Sequence, residues 1–159
     1  MSSRRGVMVT VPELAAALAG SAPPALLDVR WTLGEVPGSG RQRYAAGHLP
    51  GAAFLDLESA LTRHTGDPRD GRHPLPDLAV LRDSLAAAGV HVGQEIVVYD
   101  EPGSFAAGRA WWVLRWVGLP VRVLDGGLTA WTAPDTPLSL VTPRSPLCRR
   151  PTRCPCRPP

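Results

Sequence analysis

The 159-residue chain contains no lysine; all 17 of its basic residues are arginine. No fold requires that exclusion, so it reads as the codon usage of a GC-rich genome. Cysteine is missing from the first 147 residues, with Cys148, Cys154 and Cys156 confined to the end of the chain. A disulfide cannot staple the body. No apolar run approaches the roughly 18 residues that a membrane-spanning helix needs, so no membrane partner is expected. Nor is there a charge excess in the body: residues 1–131 hold 12 Arg against 13 acids, a net −1. The overall +3 comes from residues 132–159, with five Arg against Asp135, a net +4. A basic balance confined to one end gives the body no nucleic-acid footprint, and no nucleic-acid partner is expected.

What remains is one ordinary domain: 44% of the residues are hydrophobic, and the length allows one core but not two. The start of the chain, with Arg4-Arg5, invites a secretory reading. Pro12 and Glu13 interrupt the apolar run, however. Thr10-Val11-Pro12-Glu13 instead predicts a capping box opening a helix with Leu14 and Leu18 on one face. A cytoplasmic location is the expectation.

Strand and helix signals then alternate. ALLDVRW (25–31) predicts a buried strand, and residues 32–47, with Pro37, Gly38 and Gly40, predict a loop. Pro50-Gly51 suits the centre of a type II turn. AAFLDL (52–57) is a strand candidate, and residues 61–76 predict a long exposed loop. Asp77 caps a helix with Leu78, Leu81, Leu85 and Ala88 in register, and Gly89 supplies its left-handed end. EIVVY (95–99) is a strand, and Ser104 is placed to cap a helix with Ala106, Ala110, Val113, Leu114 and Val117 as its stripe. VRVLD (121–125) is the last strand, followed by a Gly126-Gly127 turn and a short helix. Such alternation predicts an α/β fold with a mostly parallel sheet. Ligand sites in such sheets lie beyond the strands' carboxyl ends, at Asp28, Asp100 and Asp125 here. An Asp at a strand end also commonly does no more than hold a turn.

Three segments together resemble the rhodanese family. They are LLDVRW with YAAGHLPGA (44–52), VVYDEPGSFAAGRAWW (97–112) and VRVLDGGLTAW (121–131). More narrowly, they are similar to the N-terminal domain of tandem thiosulfate and 3-mercaptopyruvate sulfurtransferases, over residues 7–131. The resemblance implies a three-layer fold, a central mostly parallel sheet flanked by helices. It implies sulfane-sulfur transfer to a thiophilic acceptor through a cysteine persulfide, with small sulfur-containing anions as ligands and no cofactor. The attacking group in such chemistry is a thiolate, favoured by helix N-terminal amides and nearby cations. Here Asp100 stands at the position of the family cysteine, as it does in the cysteine-less N-terminal half of the tandem enzymes. No catalytic residue is therefore expected. Gly103, Ser104 and Arg109 join Asp100 as candidates for binding an anion or an interface. His48 is either an accessory proton-transfer group or a histidine that holds its turn.

Other chemistry is thinly represented. Cys148-Arg149 faintly echoes a loop beginning Cys-Arg, but no strand precedes it and Pro151 lacks an N–H. Three thiols without a fourth nearby ligand make no zinc site, and His64 and His73 match no metal spacing; no metal is expected. Trp112 and Trp116 lie one turn apart, while Trp111 faces about a hundred degrees away, so one sheet cannot cover all three. A second rhodanese domain or another copy of the chain would cover the surplus. Residues 132–159 carry eight prolines without periodicity and predict disorder. Their Pro/Arg/Cys content is what GC-rich codons yield out of frame, hence an expectation of a truncated chain. The remaining alternative is a non-catalytic module that binds a protein or a small anion.

Overall fold

The structure, a computed structural model, describes residues 6–133. The three cysteines and the segment for which disorder is expected lie outside the described residues, apart from Thr132 and Ala133. Five strands form one all-parallel sheet: β1 (Met8–Val9), β2 (Ala25–Asp28), β3 (Ala53–Phe54), β4 (Ile96–Tyr99) and β5 (Val121–Leu124), in the order β1-β5-β4-β2-β3. Parallel neighbours need crossovers, and helices supply them. These are α1 (Val11–Leu18), α2 (Ser39–Ala46), α3 (Leu57–Ala60), α4 (Leu78–Ala87), α5 (Ala106–Trp116) and α6 (Gly127–Trp131).

The central strand β4, Ile96–Tyr99, is buried throughout because both of its faces are covered. Ile96 and Val98 point into a core with Leu81 and Leu85 of α4 and Ala110, Val113 and Leu114 of α5. Val97 and Tyr99 point to the opposite face, against Leu14 of α1 and Trp131 of α6. The expected three-layer α/β architecture is thus what forms.

Local chemistry explains the elements that matched expectation. Thr10 and Glu13 close the capping box of α1, Asp77 accepts from Ala79 and Val80 at the head of α4, and Gly89 follows α4 with φ +77°. Ala52 N–H donates to Leu49 C=O across Pro50-Gly51, with Gly51 at φ +79°, a type II turn.

Several expectations are corrected. Residues 39–46 are a helix rather than loop; α2 has almost no apolar face and is held by Arg43 on Glu35 and by Tyr44 OH donating to Ala52 C=O. The strand expected over 52–57 pairs only at Ala53–Phe54, because Asp56 turns to cap α3, accepting from Glu58 and Ser59. β1 carries no sequence signal, being two residues paired to β5. The loop over 61–76 contains one short turn of 3₁₀ helix at Pro68–Asp70. α5 begins one residue later than a Ser104 cap would place it, with Phe105 at its N-cap.

Candidate functional site

Chain direction selects the site. From β2 the chain moves outward to β3, whereas from β4 it moves the opposite way to β5. The crevice between these departures, beyond Asp28 and Tyr99, is where a doubly wound sheet accepts ligands. It adjoins a cleft of about 530 Å³ lined by Arg30, Trp31, Phe54, Glu58, His64 and Arg72, among others.

A buried polar network forms the crevice floor. Asp28 is fully buried and Arg30 is 5% exposed. The Arg30 guanidinium donates to both carboxylate oxygens of Asp28 at 2.7–3.0 Å, to Gly47 C=O at 2.7 Å and to Glu101 Oε1 at 3.2 Å. Tyr99 OH donates to Asp28 Oδ2 at 2.9 Å and accepts from Leu49 N–H at 3.2 Å. Burial works against the Arg30 charge, but the Asp28 carboxylate, helped by Glu101, holds its pKa above the ordinary value. Burial, reinforced by the Asp28 charge, pushes the Tyr99 hydroxyl far up, so it stays protonated as a donor. This network ties the end of β2, the 47–49 turn and the loop after β4 into one unit. The sequence reading named Asp28 but missed Arg30, Tyr99 and Glu101. A usable signal was the i, i+2 spacing of Asp28 and Arg30, which puts both on one face of an extended chain.

Asp100 sits at the head of the loop that enters α5. Its Oδ2 accepts from Ala107 N–H at 2.8 Å, and its carbonyl accepts from Leu128 N–H at 2.9 Å. Burial raises its pKa, opposed by the Ala107 amide and the Ser104 side chain. Glu101-Pro102-Gly103-Ser104 form a turn, Ser104 N–H donating to Glu101 C=O, with Gly103 at φ +82°. Ser104 Oγ accepts from Ala106 N–H and donates to Trp31 C=O. The amides of residues 104, 106 and 107 are thus all turned to the loop's own oxygens.

The other candidates lie elsewhere. The Arg109 Nη2 lies 2.9–3.0 Å from the carbonyls of Leu61, His73 and Pro74. Burial lowers its pKa. His48 is 4% exposed, stacks on Tyr44 at 4.0 Å between centroids, and places Nδ1 3.0 Å from Tyr44 C=O. A carbonyl only accepts, so Nδ1 carries the proton of this contact. That geometry fastens the residue before the Pro50-Gly51 turn to the end of α2. Trp31, His73 and Phe105 form an edge-to-face aromatic wall beside the loop, with Trp31 5.3 Å from His73 and 5.2 Å from Phe105. Asp125 directly follows β5, its N–H donating to Val9 C=O. Among the described residues no group of three His, Cys, Asp or Glu is placed to hold a metal, and no helix is long and apolar enough to cross a membrane.

Comparison with known proteins agrees with this geometry. The family described as "Rhodanese-like domain" matches residues 10–134. The chain is 45% identical over 132 residues to a Mycobacterium tuberculosis protein named "Putative thiosulfate sulfurtransferase SseB", covering 82% of this chain and 45% of that one. It therefore spans less than half the length of this curated relative. Among solved structures, Escherichia coli SseA, a 3-mercaptopyruvate sulfurtransferase, is 33% identical with a TM-score of 0.68, covering 87% of this chain and 51% of that chain. The 3-mercaptopyruvate sulfurtransferase of Leishmania major gives a TM-score of 0.74 at 27% identity, covering 88% and 37%. A five-stranded parallel sheet, a helix entered from a tight loop beyond β4 and a family match over most of the chain identify this protein as a member of the rhodanese family, related to the sulfurtransferases.

Proposed function

We propose that the chain is the non-catalytic, N-terminal-type rhodanese unit of a thiosulfate or 3-mercaptopyruvate sulfurtransferase, a transferase that works only with a cysteine-bearing second domain. One observation carries this reading: Asp100 occupies the head of the β4–α5 loop, with its carboxylate on Ala107 N–H. A carboxylate cannot carry a sulfane sulfur as a stable persulfide, and its charge opposes thiosulfate at the amides it already holds. Ser104 Oγ is engaged at both its donor and acceptor positions, and Nδ1 of His48 is bound to a carbonyl. The described residues include no cysteine, so no thiol stands at this loop to carry a persulfide.

The α5 face is the second support. Trp112 and Trp116 are each 48% exposed and stack on one another, 6.3 Å between centroids and 8° between planes. Such a surface suits a second rhodanese domain or another copy of this chain. Truncation of a longer sulfurtransferase and a cytoplasmic location belong to the same proposal; sequencing downstream of codon 132 and cell fractionation check them. The functional test is an assay of the purified full chain with thiosulfate and cyanide. No turnover above buffer is expected. Turnover that survives changing Cys148, Cys154 and Cys156 to serine contradicts the reading, whereas turnover lost on Cys148→Ser alone assigns the activity to that cysteine.

A further inference from the structure

Arg109 is a half-buried cation that, among the described residues, has no carboxylate partner. Its Nη2 contacts are the carbonyls of Leu61, His73 and Pro74. Those carbonyls lie at the two ends of one loop, so a single guanidinium clamps residues 61 and 73–74 together on the side of α5. The loop between them is consequently mounted on a rigid element rather than left free.

The clamped loop borders a shallow, open cleft of about 230 Å³, lined by Arg63, His64, Gly66, Asp67, Gly71 and Arg72, among others. Its charges are unevenly paired. Asp67 is consumed by Arg69, whose Nη2 lies 2.6 Å from its Oδ2. The His64 ring is held by Glu58, with Nε2 3.1 Å from the backbone carbonyl and 3.5 Å from the carboxylate. Among the described residues, neither Arg63 nor Arg72 has a carboxylate within ion-pair distance. The two free guanidinia thus flank the cleft, with the uncompensated Arg109 behind the loop. Gly66 and Gly71, at φ +74° and +79°, leave open space where side chains would stand, so the backbone is open to a small ligand.

We infer that the 61–74 loop is a binding site for a small tetrahedral oxyanion, gripped between Arg63 and Arg72. Guanidinium forks match the oxygens of such an ion, and a mounted loop lowers the ordering cost of binding. The site is built on the 61–74 loop rather than on the loop of Asp100, although it shares His64 and Arg72 with the larger cleft beside the crevice, and it does not depend on the sulfurtransferase reading. Sulfate, phosphate and thiosulfate share the required chemistry. Arg109, a sequence-based candidate for anion binding, acts here as the anchor of the residues that bind.

The test is an amide-resolved NMR titration of the full chain with inorganic phosphate, sulfate and thiosulfate, each at ionic strength matched with chloride. Saturable shifts centred on Gly66 and Gly71 are expected, and the Arg63→Gln/Arg72→Gln double variant is expected to weaken binding at least about tenfold. Both side chains are exposed, so the variant should keep its circular dichroism and melting temperature. Comparable affinity for the three ions indicates a general oxyanion site, and a clear preference for thiosulfate indicates a sulfur-donor site. Non-saturating shifts that chloride reproduces, or full affinity in the double variant, overturn the inference. A chain that binds here yet transfers no sulfur satisfies both proposals. One that turns over sulfur and also binds here contradicts only the earlier reading.

Discussion

A carboxylate at the head of a helix is held by the same amides that lower the pKa of a thiol. At Asp100 this hold does not cover the cost of burial, because its pKa is raised above the ordinary carboxylate value, burial being the largest cause. The folded state therefore binds this proton more tightly than the unfolded one. Stability from this group is complete below the unfolded pKa and falls as pH rises through the folded one. Asp100→Asn keeps an acceptor for Ala107 N–H and removes the charge. It should raise the urea midpoint at neutral pH, with the advantage over wild type vanishing as pH drops below the unfolded carboxylate pKa. Parallel urea titrations at several pH values check both the sign and the window. Arg30 is the opposite case, a buried charge that is well paired. Arg30→Met leaves Asp28 buried without its counter-ion and should cost about 3–5 kcal/mol in equilibrium unfolding.

At the scale of elements, α6 holds the Asp100 loop in place. Leu128 N–H donates to Asp100 C=O, and a Cβ on Gly127 would collide with that same carbonyl oxygen. Gly127 also has φ +56°, where a side chain is strained. Gly127→Ala combines a steric and a backbone penalty and should cost about 2 kcal/mol or more, read from the shift in urea midpoint. Loss of amide protection at Leu128 in hydrogen exchange would place the damage at this contact. The capping box of α1, the Asp77 cap and the Pro50-Gly51 turn were legible because each is made by residues within a few positions of one another. α2 was not legible, since its support is Glu35 for Arg43 and Ala52 for Tyr44, with no apolar periodicity of its own.

For the whole molecule, the exposed Trp112–Trp116 stack makes self-association the expected behaviour of the isolated chain. Analytical ultracentrifugation at increasing concentration should show a rising weight-average mass. Trp112→Gln with Trp116→Gln should return the chain to monomer while leaving its secondary structure unchanged. A wild-type chain that remains monomeric at high concentration rules this out.

The sequence by itself determined the succession of buried strands and helices, the family resemblance and the absence of a cysteine after β4. These are properties of composition, short periodicities and neighbouring residues. Only the tertiary structure decided what the polar residues do, because their partners are far away in the chain. Tyr99 and Asp28 are 71 residues apart, as are Arg30 and Glu101, and Arg109 reaches back 48 residues to Leu61. Burial makes these pairings obligatory, since an unpaired charge in the core is too costly. Which residues become neighbours is set by the strand order β4-β2 and by how α5 packs over the sheet. The internal hydrogen bonds of the Asp100 loop and the clamping of the 61–74 loop by Arg109 follow from that packing.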